Sequence, residues 1–246
     1  MDKKLNIGLV CIATLKYKQF IPQLLEGVKK YFMIEHNVIV FLFTDETMEY
    51  EGDSRVGVIQ KVIPPYKFPF ASLYRFKIFN NHIWPLASMD YLFYSDIDMR
   101  FENIVGNEIL CNGITVVYHP GFYSKKEVVG HWGSNGVVKE SSAWLEPDKR
   151  FGYVAGGFNG ATTKEFLEMA RVLNDNITKD EENEVMAEYH DESHLNCYLK
   201  SYNGDVLYLT PEYCMVEQPN LRQAWGIENL TPRIVALAKN HSEIRN

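Results

Sequence analysis

Apolar and polar positions along this chain follow two periods. Residues 5–13 are apolar but for Asn6 and of strand length, and parallel strands buried on both faces read this way. Next come Phe20, Ile21, Leu24, Leu25, Val28 and Phe32, whose spacings of three and four predict an amphipathic helix. Pro22 suits the first turn of that helix. Residues 37–43 predict a second strand, ended by Thr44-Asp45, and residues 58–63 a third. Residues 64–69 hold three prolines and predict a rigid connector. A helix is expected over 71–84, then strands over 91–94 and 113–118, a helix over 163–174 and a late strand over 206–209, with residues 188–202 holding a His- and acid-rich block. Residues 179–184 read as a solvated acidic turn. Strand, helix and strand joined by short turns predict an α/β sheet of nucleotide-binding type. The first turn lacks the Gly-x-Gly-x-x-Gly fingerprint of dinucleotide sites, and no Walker loop occurs.

Composition narrows the function classes. The 246 residues are 46% hydrophobic and 13% aromatic, enough for a substantial core without staples. The net charge is -7 with no basic stripe, which argues against nucleic acid as a partner. Cys11, Cys111, Cys197 and Cys214 are scattered, so neither zinc ribbons nor redox pairs are supported, and free thiols in a reducing compartment are the default. The sequence begins with a polar tetrapeptide leading directly into the first strand, without a signal-peptide pattern or an apolar run of about 20 residues. The expectation is a cytoplasmic protein, with peripheral attachment to a membrane left open.

The candidate chemistry begins where the apolar run Tyr91-Leu-Phe-Tyr94 turns acidic at Asp96 and Asp98. If strand geometry persists, these side chains share one face, since positions i and i+2 do. Two carboxylates there repel one another unless a cation joins them, and a divalent metal with a diphosphate would complete such a shell. A strand running into an acidic turn is the plainer alternative. Residues 151–160 carry four glycines, which permit close backbone approach to a ligand or mark a bulged strand. His190-Asp-Glu-Ser-His194 offers two histidines at i and i+4, but the zinc-protease pattern needs Glu directly after the first His, where Asp191 stands. Asp191 and Glu192 instead suit a nucleophile or base beside a hydrogen-bond acceptor for a sugar, or simply an acidic helix start. An aspartyl-phosphate reading of Asp96 and Asp98 is disfavoured by their position late in the sheet. Lys239 and Arg245 near the chain end suit closure over phosphates, or an ordinary basic terminus. Residues 124–150, with Trp132 and Trp144, read as a long functional or mobile loop.

Together these stretches resemble glycosyltransferase family 6, the retaining α1,3-galactosyl- and N-acetylgalactosaminyltransferases. The matching blocks run in family order: Phe43-Thr-Asp45, Ser72-Leu-Tyr-Arg75, Asp96-Ile-Asp-Met99, His119-Pro-Gly-Phe-Tyr123, 153–160, His190-Asp-Glu-Ser-His-Leu-Asn196, Pro211-Glu-Tyr213 and Lys239-Asn-His241 with Arg245. The resemblance covers almost the whole chain. It implies a single GT-A domain over 1–246, a mixed sheet flanked by helices, with a closing tail from about 236. It implies that Asp96 and Asp98 hold Mn2+ against the diphosphate of a UDP-sugar, and that Ile12, Ala13 and Tyr17 line the uridine. Arg75 matches a residue contacting the donor sugar and the metal-site acid, and Asp191 one that binds donor hydroxyls. Glu192 matches the catalytic residue beneath the anomeric carbon. His119 and Tyr189 match acceptor contacts, and Lys239 and Arg245 the cations of the tail. Ala155, Gly156 and Gly157 match the residues that read the donor's 2-substituent. Gly157, where galactose-specific relatives carry Ala, implies UDP-GalNAc over UDP-galactose. Departures are Phe68 and Tyr189 in place of tryptophans, and Val216 beside Glu217 in place of an acidic acceptor contact. The implied acceptor is a galactose-terminated oligosaccharide or lipid-linked glycan of fucosylated, H type. A non-catalytic glycan- or nucleotide-binding protein on the same fold is the competing expectation.

Overall fold

The computed structural model describes residues 3–50, 54–125, 138–150 and 152–245. Trp132 and the middle of the expected 124–150 loop lie outside the described residues. The apolar run near the N-terminus forms strand β1 (Asn6–Ala13), buried from Ile7 onward. A 3-10 turn over Leu15–Phe20 leads to helix α1 (Ile21–Tyr31), with proline in its first turn as its spacing foretold. Strands β2 (Asn37–Thr44) and β3 (Val56–Val62) follow.

The helix expected over 71–84 is three short pieces: α2 (Phe70–Leu73), α3 (Arg75–Asn81) and α4 (Ile83–Leu86). The breaks fall at Tyr74 and His82, which leave helical geometry, and Trp84 is extended at ψ 120, as a residue before proline prefers. Strand β4 (Tyr91–Ser95) stops before the acids. Asp96-Ile-Asp98 is therefore a turn into strand β5 (Met99–Phe101), not a continuation of the strand. Then come β6 (Ile114–Tyr118), β7 (Val154–Thr162), α5 (Thr163–Glu182) and α6 (His190–Ser201). Thr162 caps α5 by accepting from the Glu165 amide at 3.4 Å, with Glu165 at the position of a capping box. The chain ends through β8 (Val206–Leu209), β9 (Met215–Val216), α7 (Pro219–Ala224), β10 (Ile234–Ala236) and α8 (His241–Ile244).

The main sheet has seven strands in the order β3-β2-β1-β4-β7-β6-β8. Every pair in it is parallel except those that β7 makes with β4 and β6. Alternate residues of β1 face opposite layers. Ile7, Leu9, Cys11 and Ala13 pack with α1, while Val10 and Ile12 join Phe76, Phe79, Phe166 and Leu195 of α3, α5 and α6. A second sheet, β5-β10-β9, gathers strands that lie far apart in sequence. Among the described residues no helix is long and apolar enough to cross a membrane.

A further expectation fails locally. Asp180, read as part of a solvated turn, is buried near the end of α5, where it accepts from the Ser141 hydroxyl and, at 2.7 Å, from the Ser142 amide. It fastens the segment around Ser141 to the helix layer.

Candidate active site

Strand order reverses direction around β1 and β4, and ligands of open α/β sheets bind beyond strand carboxyl ends at such a point. The register pairs Val10 with Tyr94, which brings the ends of both strands, Ile12 and the Asp96 turn, side by side. Two cavities open there, one of about 140 Å3 and one of about 410 Å3, and Asp96, Asp98 and Lys239 wall both.

The smaller cavity is lined by Ile12, Tyr17, Phe68, Ser72 and Arg245 besides the shared residues. Ala13 lines neither cavity; its side chain is fully buried toward α1. The turn carrying Tyr17 is pinned from β2, since Asp45 accepts from the Leu15 amide at 3.2 Å and pairs with Lys18 at 3.1 Å. The Arg245 guanidinium lies 3.5 Å from the centre of the Phe68 ring, a cation–π contact.

The larger cavity is lined by Ala155, Gly157, Glu192 and His119, with Val216, Gln218, Leu221 and Trp225 on its outer side. Gly157 reaches it through a bulge that also holds Gly156, which lines neither cavity: β7 pairs Asn159 with Val116 and then Ala155 with Val117, so the residues between bow out of the ladder. Of the two expectations for the glycine-rich stretch, the bulged strand is the one seen here. A methyl on Gly157 would stand 3.1 Å from Asp96 Oδ2 and 3.1 Å from Met99 Cε.

Behind the cavity wall the polar groups are closely matched. Arg75 is only 1% exposed; its Nη2 pairs with Asp191 Oδ2 at 2.8 Å, its Nη1 donates to Gly156 O at 2.9 Å, and its guanidinium sits 4.3 Å from the Tyr94 ring centre. Arg75 and Asp191 therefore reach the cavity through neighbours rather than lining it. The Tyr94 hydroxyl donates to Asp96 Oδ1 at 2.6 Å. Glu192 accepts from the Tyr153 hydroxyl at 2.6 Å and from the Gly156 amide at 2.7 Å, one bond on each carboxylate oxygen. Burial raises the pKa of both acids, Asp191 to about 6 despite the Arg75 charge, while the Tyr153 and Gly156 bonds pull Glu192 back down. Burial lowers His119 to about 4, so its ring is neutral. Its Nδ1 accepts from the Gly121 amide at 3.1 Å, leaving the proton on Nε2 as a donor. Tyr189 is 37% exposed and meets Tyr153 at a ring distance of 6.4 Å, outside both cavities.

Sequence reasoning missed Tyr94 and Tyr153, which hold the two key carboxylates, and Trp225, Gln218 and Leu221 of the outer wall. The tyrosines lie in or beside blocks singled out above, but a tyrosine in a strand reads as core. Among the described residues no cluster of three or more metal-binding side chains occurs. Asp96 and Asp98 offer two hard oxygen donors to one space, which suits a divalent cation whose shell is completed by phosphate and water.

The full chain, residues 1–246, matches the sequence profile of glycosyltransferase family 6. The chain belongs to glycosyltransferase family 6. It is a glycosyltransferase, and the mixed sheet between helices is a GT-A fold. Among family 6 relatives, the histo-blood group ABO system transferase 1 of Rattus norvegicus is 32% identical over 98% of this chain and 69% of its own. The globoside alpha-1,3-N-acetylgalactosaminyltransferase 1 of Gallus gallus is 28% identical over 100% of this chain and 71% of its own. The O-antigen biosynthesis glycosyltransferase WbnI of Escherichia coli is 26% identical over 82% of this chain and 84% of its own.

Proposed function

We propose that this chain is a retaining α1,3-N-acetylgalactosaminyltransferase, moving GalNAc from UDP-GalNAc to a galactose-terminated, H-type glycan with the help of Mn2+. The observation that carries the reading is that Asp96, Asp98 and Glu192 wall one cavity. A departing UDP gathers negative charge at one end of that space, and the sugar it leaves gathers positive charge at the other. A divalent cation held by Asp96 and Asp98 supplies the charge that a leaving diphosphate needs. Lys239, whose ammonium lies against Asp98, adds a second positive group on the same side, and Arg245 closes from the tail. The whole chain acts as one catalytic domain, with residues from about 236 as its closing tail.

Glu192 acts at the sugar. Both its oxygens are oriented by fixed donors, so the carboxylate meets the anomeric carbon without reorganising. Retention follows if it attacks that carbon and is displaced by the acceptor, or if it stabilises an oxocarbenium-like sugar while the acceptor enters from the leaving-group side. Asp191 and Arg75 stand behind the cavity wall and act on the donor site through Gly156, whose carbonyl Arg75 holds. Neutral His119 offers its Nε2 proton to an acceptor oxygen, and the Trp225 ring beside it, 6.4 Å away, gives an apolar platform. Tyr189 borders this region from the N-terminus of α6. Ile12, Tyr17 and the backbone at Ala13 hold the uridine.

Gly157 decides the donor. A methyl on residue 157 would press on Asp96 Oδ2 and Met99 Cε, both 3.1 Å away, so a side chain here pushes the cavity wall inward and narrows the room for a 2-acetamido group. Transfer assayed with both UDP-sugars gives faster turnover of UDP-GalNAc, and Gly157→Ala shifts the ratio toward galactose by roughly tenfold or more. Faster wild-type turnover of UDP-galactose overturns the donor assignment.

A further inference from the structure

We propose that Glu217 is the positioning residue of the C-terminal tail: its carboxylate clamps the backbone at Ala238 and so sets where Lys239 stands over Asp98. The functional half of this inference rests on the transferase reading above; the structural half does not.

The small sheet makes the tail root part of the acid turn. Strand β5 begins directly after Asp98 and pairs antiparallel with β10, Met99 against Ala236. One step on, the Leu237 amide donates to Asp98 O at 3.0 Å. On the other edge of β10, β9 pairs Val216 with Ala236, and the Glu217 amide donates to Ala236 O at 3.1 Å. Glu217 is thus the first residue past β9, and its side chain reaches forward where the ladder stops. Its Oε2 accepts from the Ala238 amide at 2.8 Å, and its Oε1 from Arg100 Nη1 at 2.9 Å. Arg100 in turn donates from Nε to Glu102 at 2.8 Å. The next residue of the tail is Lys239, with its ammonium against Asp98.

Beyond that point the attachments change character. Asn240 spends its side chain on its own helix, accepting from the Ser242 amide at 3.2 Å. Farther along, the tail is linked by an exposed bond from Lys16 to Glu243 O at 2.7 Å and by the Arg245–Phe68 contact. The clamp is itself an exposed bond, but it extends the strand ladder at the root, where β5, β10 and β9 already hold the backbone. The Glu217–Arg100 pair is about one third exposed on each side chain, so its charge attraction is weak, and the backbone bond carries the clamp. Residue 217 neighbours Val216, where the resemblance calls for an acidic acceptor contact. The carboxylate of Glu217 faces the tail instead.

The test is carboxypeptidase digestion of the ligand-free protein, read by mass spectrometry, with UDP affinity measured alongside. Wild type stalls close to Lys239. Glu217→Ala trims past it at least about tenfold faster, the loss of one hydrogen bond to a charged group. Glu217→Gln, whose amide oxygen still accepts from Ala238, keeps the stall, and Glu102→Gln behaves as wild type. With UDP, Glu217→Ala binds about tenfold more weakly while acceptor KM stays unchanged, a split that general destabilisation does not produce. An unchanged stall in Glu217→Ala, or Glu217→Gln trimming as freely as Glu217→Ala, overturns the proposal. A lost stall in a protein whose wild type binds no UDP supports the clamp and counts against the donor assignment alone. Should Glu217→Ala not fold, hydrogen exchange at the Ala238 amide in Glu217→Gln against Glu217→Leu gives the same decision, with fast exchange expected only in Glu217→Leu.

Discussion

Asp191 and Glu192 are neighbours in the first turn of α6, both drawn out of water, yet the groups around them differ. Asp191 faces one fixed cation, Arg75, and burial still holds its pKa at about 6. An acid whose pKa rises on folding binds its proton more tightly in the native chain, so its contribution favours the native state at low pH and is lost as pH climbs. For Asp191 the loss runs from its ordinary 3.8 to about 6. Urea unfolding of wild type and Asp191→Asn across this window should show wild type losing stability relative to the variant, by up to about 1.4 kcal/mol per pH unit. A pH-independent difference would refute the shift. Glu192 is steadied first by hydrogen bonds from Tyr153 and Gly156, with the Arg75 charge a smaller contribution. Tyr153→Phe removes one of its two donors, which raises the carboxyl pKa further, so the acid limb of kcat/KM should move to higher pH by roughly one unit. An unmoved limb in Tyr153→Phe would mean the hydroxyl does not hold this carboxylate. At this scale the acids were legible because a paired carboxylate in an apolar context is itself a signal. Their partners were not: a tyrosine letter says nothing about where its hydroxyl points.

Strands were the most legible elements, since burial on two faces leaves an unbroken apolar run, and β1, β2 and β4 stand within a residue or so of their expected ends. The helix over 71–84 was misjudged because its apolar spacing continues through Tyr74 and His82, where the backbone leaves helical geometry without a break in the periodicity. The reasoning from strand alternation at Asp96 and Asp98 also needs correction. β4 ends at Ser95, the Asp96 amide donates to Gly157 O at 2.8 Å, and the acids converge through a turn. That cross-strand contact depends on how closely β4 and β7 approach. Gly160 stands opposite Phe93, and a methyl there would lie 2.1 Å from the ring edge. Gly160→Ala should therefore cost about 1–3 kcal/mol as the ring is forced aside. Urea unfolding would show this as a lower midpoint at unchanged slope. A midpoint equal to wild type would mean that the sheet tolerates the added methyl.

Across the whole molecule the site is a joint between parts that sequence order keeps apart. Ile12 and Tyr17 come from the first strand and turn, Asp96 and Asp98 from mid-chain, Glu192 from α6, and Lys239 and Arg245 from the last residues. The second sheet that carries Lys239 to Asp98 was invisible in the sequence, because β5, β9 and β10 are two or three residues long and pair over long separations. A ligand that touches all these parts binds the native chain alone and so stabilises it as a unit. UDP with Mn2+ at one hundred times its dissociation constant contributes about 2.7 kcal/mol, which for a chain of this size is roughly 5–10 °C in Tm. The shift should vanish with chelator and in Asp98→Asn, since the diphosphate then meets uncompensated charge. It should survive Glu192→Gln, whose side chain meets the sugar and not the nucleotide. Equal shifts in wild type and Asp98→Asn would separate nucleotide binding from the acid pair and remove the basis for a metal-bridged diphosphate at this turn.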